Sequence, residues 1–144
     1  MMTATVSSNP ALEMRFASLP TSEDSVKQQV RQLMGQLFPA GLGVERRNSG
    51  RYPFPFLVRL TPVDERTLQP IAEAFVVVGK DLSERGLGFF HPHPLPYRRA
   101  IVTIEDSSRR SVSLLIDLNW CRFTRHGWYD SGGRFLQVVQ KLAA

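Results

Sequence analysis

Val112-Ser113-Leu114-Leu115-Ile116-Asp117-Leu118-Asn119 alternates, with Val112, Leu114, Ile116 and Leu118 on one side and Ser113, Leu115, Asp117 and Asn119 on the other. A period of two is the mark of a strand with one buried face. Working outward, Trp120 to Arg125 continues the strand, His126-Gly127 turns it, and Trp128 begins another. Asp130-Ser131-Gly132-Gly133 reads as a tight turn or bulge. Phe135, Val138, Val139 and Leu142 recur at i, i+3, i+4 and i+7, which predicts a short C-terminal helix. Upstream, residues 100–105, 87–90, 71–78 and 56–61 are apolar or alternating and read as strands. Residues 62–70 and 106–110 are polar and turn-rich between them. Strands every 10–15 residues with turn signals between them predict a mostly β chain closed as a barrel.

Three segments follow. Residues 1–20, rich in Ser, Thr, Ala and Pro, read as a flexible arm, although Leu12, Met14, Phe16 and Leu19 give it apolar points that could dock. Residues 21–39 read as a helix. Thr21 or Ser22 caps it, Glu23 and Asp24 suit its first turn, and Pro39 ends it. Val26, Val30, Leu33, Met34 and Leu37 form one apolar stripe, expected to pack on the barrel. Residues 40–144 are the barrel domain.

The whole chain of 144 residues carries a net charge of +5, and 15 of its 18 basic residues are arginine. That bias suits bidentate recognition of anions. The single cysteine, Cys121, excludes an internal disulfide and a cysteine-based metal site, and suits a cytoplasmic location. Its place beside Trp120 reads as core. No stretch reaches the ~20 apolar residues that span a bilayer, and no signal peptide is evident. His91-Pro92-His93-Pro94-Leu95-Pro96 reads as a stiff connector rather than a metal site, since only His126 remains to complete a ligand set.

Two short motifs carry the functional signal. Arg46-Arg47-Asn48-Ser49-Gly50-Arg51 reads RRxxxR, and Asp81-Leu82-Ser83-Glu84-Arg85-Gly86 reads DxSxxG. Chance supplies about 1.6 RxxxR pairs in so arginine-rich a chain, but only about 0.03 DxSxxG matches. The arginines offer planar forks to phosphate oxygens or to a guanine edge. Asn48, Ser49 and Gly50 place them on a loop. Asp81 can accept from a guanine amino group or hold an arginine. Ser83 can donate to a phosphate or cap a turn. Gly86 removes a Cβ where the backbone turns or a ligand comes close.

In this order and at this distance, RRxxxR and DxSxxG resemble the signature of PilZ domains, bacterial receptors for the second messenger cyclic di-GMP. The resemblance covers residues 40–142, and both motifs are complete. It implies a six-stranded antiparallel barrel with a C-terminal helix. It also implies that Arg47 and Arg51 bind guanine and phosphate with Arg46 assisting, while Asp81, Ser83 and Gly86 complete the pocket. Arg46, just before the RxxxR pair, would let two stacked nucleotides bind. Ligand would draw the arginine loop onto the barrel and reposition the helix toward an unidentified protein partner; a homodimer stays open.

No catalytic role is expected. The chain holds no GxSxG elbow and no GxxxxGK[ST] loop, and Asp117 and Asp130 lack a second carboxylate at catalytic spacing. Two other readings stand beside the receptor. One is an adaptor that keeps the fold without binding nucleotide. The other is a small barrel that stacks RNA or single-stranded DNA on Trp128, Tyr97, Phe89 and Phe90. The second is disfavoured because those aromatics fall mostly at positions that need core, so no nucleic-acid partner is expected.

Overall fold

The structure is a computed structural model that describes residues 15–18, 23–37, 50–105 and 109–142. Its elements are β1 (Arg15–Ser18), α1 (Glu23–Leu37), β2 (Tyr52–Pro53), β3 (Leu57–Pro62), β4 (Phe75–Leu82), β5 (Gly86–His91), β6 (Arg99–Glu105), β7 (Ser111–Phe123) and β8 (Tyr129–Leu142). Strands β3 to β8 close a six-stranded antiparallel barrel in the order β8-β5-β4-β3-β6-β7, with β7 returning to β8. Two strands lie outside that ring: β1 pairs with the end of β8, and β2 pairs with β4.

The apolar stripe of α1 packs as its spacing predicts. Val26, Val30, Leu33 and Met34 are buried in one cluster with Val58, Leu60, Phe89, Leu114, Ile116 and Phe135. The helix therefore adds to the barrel's own core rather than building a second one. A smaller cluster lies on the outer face of β6, β7 and β8. There Ile101, Leu115 and Val139 are covered by Phe16 of β1 and by Val63 and Leu68 of the β3–β4 connection. This is why Leu115, on the polar side of its strand's alternation, is nonetheless buried. None of the described helices is long and apolar enough to cross a membrane.

The expected C-terminal helix over residues 135–142 is not there. The segment is the second half of β8, paired with β7 and β1. The register of β7 against β8 shifts between Leu115 and Ile116, where Leu136 stands as an extra residue. A bulge of one residue moves everything beyond it to the other face. Phe135 and Val138 thus both enter the main core, while Leu136 and Val139 reach the outer cluster. A strand with a bulge imitates the i, i+3, i+4 spacing of a helix.

Three smaller expectations also change. Asp130-Ser131-Gly132-Gly133 is no turn; it is strand interior, paired with β5 on one side and β7 on the other, and of the two readings offered for it the bulge is the one met, since the β7–β8 register shifts opposite Gly132 and Gly133. The strand expected at 71–78 runs four residues later, so Asp81 and Leu82 belong to β4 and the motif's turn contracts to residues 83–85. Arg15–Ser18 of the N-terminal arm is strand, with Phe16 buried against β8.

Candidate functional site

Arg51, the last arginine of the first motif, meets the second motif on the outer face of β4. Arg51 directly precedes β2, and its Nη1 donates to Asp81 Oδ1 at 2.6 Å. The pair is partly buried, which shields it more than an ion pair in open solvent. Arg46 and Arg47 lie outside the described residues.

The DxSxxG turn is held from within. Ser83 Oγ accepts from the backbone N–H groups of Arg85 and Gly86, both at 3.2 Å, and the Ser83 N–H donates to the Gly86 carbonyl at 3.0 Å. The serine is buried and serves the turn-capping role weighed for it. The Phe135 N–H donates to the Arg85 carbonyl at 2.7 Å, which fastens the turn to β8. Gly86 has its own reason: a Cβ there would collide with the Gly133 carbonyl oxygen. The glycine lets β5 and β8 approach closely.

Glu84, between the named motif positions, reaches toward α1. Its Oε2 accepts from Arg31 Nε at 2.6 Å and its Oε1 from Arg31 Nη2 at 3.4 Å. The hydrogen bond from Arg31 holds the Glu84 carboxyl below its ordinary value. Val26, Lys27, Glu84, Arg85, Arg134, Phe135 and Leu136 line the cleft between helix and turn, about 200 Å³ in volume.

Register places further residues beside Asp81. Pro53, Asp81, Gly88, Gly132 and Trp120 stand opposite one another across β2, β4, β5, β8 and β7. The two positions between Asp81 and Trp120 are glycines. A methyl group at Gly88 would meet Asp81 Oδ1 at 2.8 Å, and one at Gly132 would meet the Trp120 ring at 2.5 Å. The carboxylate and the indole therefore lean over a strip of bare backbone from opposite ends. Lys80 is an extra residue where the β4–β5 register shifts. Its Nζ lies 5.6 Å from the Trp120 ring and 2.8 Å from Asp130 Oδ2. Arg122 flanks the same ring at 5.6 Å and donates to the same oxygen at 3.0 Å. Asp130 Oδ1 is buried and has no hydrogen-bond partner among the described residues.

Sequence reading missed Trp120, Lys80, Gly88 and Gly132 as parts of one surface. The available signal was glycine inside strand-like segments, which marks close approach of a ligand or another chain segment. Cys121, expected in the core, is exposed. Of the four aromatics assigned to core, only Phe89 is fully buried; Trp128 is exposed, while Phe90 and Tyr97 are half-buried. His91 was read as connector and instead ends β5, buried. Its ring bonds the His93 carbonyl at 2.6 Å and Ser131 Oγ at 2.7 Å. Burial pushes its pKa below the ordinary 6.5. No group of three or more potential metal-ligating residues occurs among the described residues.

No family model matches the chain, and no curated protein or solved structure matches it significantly.

Proposed function

We propose that the protein is a cyclic di-GMP receptor of the PilZ type. The observation that carries this reading is the contact between the last arginine of the first motif and the aspartate of the second: Arg51 bonded to Asp81 at the edge of a glycine-paved strip that ends in Trp120. The chemistry suits a guanine nucleotide. Asp81 can accept from the guanine N–H edge and Arg51 can donate to a phosphate or to O6 and N7. Trp120 offers a flat face for stacking, with Lys80 and Arg122 beside it to balance phosphate charge. Glu84 lies within the second motif and holds α1 through Arg31, so a ligand that moves the turn also acts on the helix. A protein partner that reads α1 would sense the change.

Isothermal titration of cyclic di-GMP tests the reading. The wild-type protein binds at micromolar concentration, and Arg51→Ala, Asp81→Ala and Trp120→Ala each weaken binding by about tenfold or more, the loss expected for one charge-assisted or stacking contact. Absence of heat, or unchanged affinity in all three variants, would reject it.

One observation favours the adaptor instead. Arg51 and Asp81 of the two motifs satisfy each other. An adaptor would capture the same protein partner with and without nucleotide and would lose it on disruption of α1.

A further inference from the structure

The outer face carries a second feature beside the glycine strip. Leu57, Val78 and Phe90 stand in register across β3, β4 and β5. Leu57 is 71% exposed, Val76 on the same face is 52% exposed, and Trp128 is 41% exposed. Val78 and Phe90 form a groove with Thr124, His126 and Trp128 of the β7–β8 hairpin, about 300 Å³ in volume. Large apolar side chains that share one patch mark a contact surface.

What surrounds the patch limits what can cover it. Arg59 pairs with Val76 in register and is exposed, and Arg125 is exposed on the hairpin turn. Asp130 stands opposite Phe90, but Lys80 and Arg122 both bind it. Glu105, exposed at the end of β6, lies beside Leu57 on the same face. The patch is thus apolar with two arginines and one carboxylate at its rim, and the outer face of a closed barrel is convex. Trp128 stands where the apolar groove meets the charged turn, as an indole does at the boundary of a lipid layer. A convex apolar face with arginines around it complements a soft anionic surface, where the apolar chains enter between headgroups and the arginines meet phosphates.

We propose that this face docks the protein on an anionic lipid bilayer. The docking adds to the nucleotide reading without depending on it, since it uses none of Arg51, Asp81, Gly86 or Trp120. Flotation of the full chain with vesicles, without nucleotide, tests it. The protein rises with phosphatidylcholine vesicles that contain one-third phosphatidylglycerol and stays behind with phosphatidylcholine alone. Substitution of Leu57, Val78 and Trp128 by Ser lowers the bound fraction about tenfold. Arg59→Gln with Arg125→Gln does the same without altering the apolar patch. In a Trp120→Phe background, Trp128 emission shifts to the blue on binding. Circular dichroism confirms that each variant is folded. The proposal fails if the wild type does not float with anionic vesicles, or if both folded variants float as well as the wild type. It also fails if sedimentation shows a dimer that the serine substitutions abolish, which would assign the face to a second copy of the chain.

Discussion

Arg51 and Asp81 show how a single contact can matter more for recognition than for folding. With side chains 43% and 21% exposed, the pair is only partly shielded, and its rupture should change stability by less than about 1 kcal/mol. The same substitutions remove a ligand contact outright, so affinity and melting temperature should respond very differently to Arg51→Ala. Gly86 behaves in the opposite way. A Cβ there meets the backbone of Gly133, which cannot swing aside as a long side chain would. Gly86→Ala should cost about 1–3 kcal/mol and lower the melting temperature by several degrees. Gly50→Ala, by contrast, meets open space and introduces only the strain of its positive φ. Residue chemistry of this kind was half legible in the sequence. DxSxxG flagged Asp81, Ser83 and Gly86, yet what Gly86 contacts is a strand 47 positions further on, which local spacing cannot reveal.

The link between α1 and the β4–β5 turn is a property of elements. Its polar part is the Arg31–Glu84 pair, and its apolar part is the stripe from Val26 to Met34. The apolar part fixes the helix on the barrel; the exposed ion pair ties it to the turn more weakly. Glu84→Gln should leave the fold intact and speed hydrogen exchange in the first turns of α1 more than in β5. The depressed Glu84 carboxyl sets a direction for pH. The pair's contribution is present above the ordinary carboxyl value of 4.5 and is lost as pH falls through the lower folded value. Protection of the α1 amides, taken relative to their intrinsic exchange rates, should therefore fall in acid, and Glu84→Gln should flatten that fall; equal acid responses in both proteins would refute the role. At this scale the sequence was most and least informative. The helix was legible because its stripe repeats without interruption, and it is described over Glu23–Leu37. The end of β8 was misread because Leu136 interrupts a strand's period and leaves behind a helix's spacing.

At the scale of the whole molecule, His91 is a buried titratable group whose protonation opposes the fold. It is neutral in the fold because burial disfavours the imidazolium. As pH falls below 6.5, the unfolded chain takes up a proton that the folded chain does not, so stability present above that pH declines until the folded value is reached. Thermal melts between pH 8 and pH 5 should show this fall, and His91→Gln should reduce it; a melting temperature that ignores pH over that range would be inconsistent with a buried neutral imidazole. The barrel itself was legible, because turn signals punctuate the apolar runs from Phe56 onward. The strand order that closes it was not, because the pairings of β8 with β5 and of β7 with β8 depend on glycines and bulges rather than on period. That closure bears on how the chain reaches its fold. The strand β8 pairs with β5, β7 and β1, so Arg15 meets Leu142 and most of the chain lies between them. Ring closure then requires contacts of very long sequence separation, whose loop entropy is lost before any packing is gained. The barrel should fold slowly, in milliseconds to seconds, and as an open sheet until its last described strand arrives. During synthesis, β3 to β7 would leave the ribosome with unsatisfied edges, and β8, the last of the ring's six strands in chain order, is the one that closes the barrel.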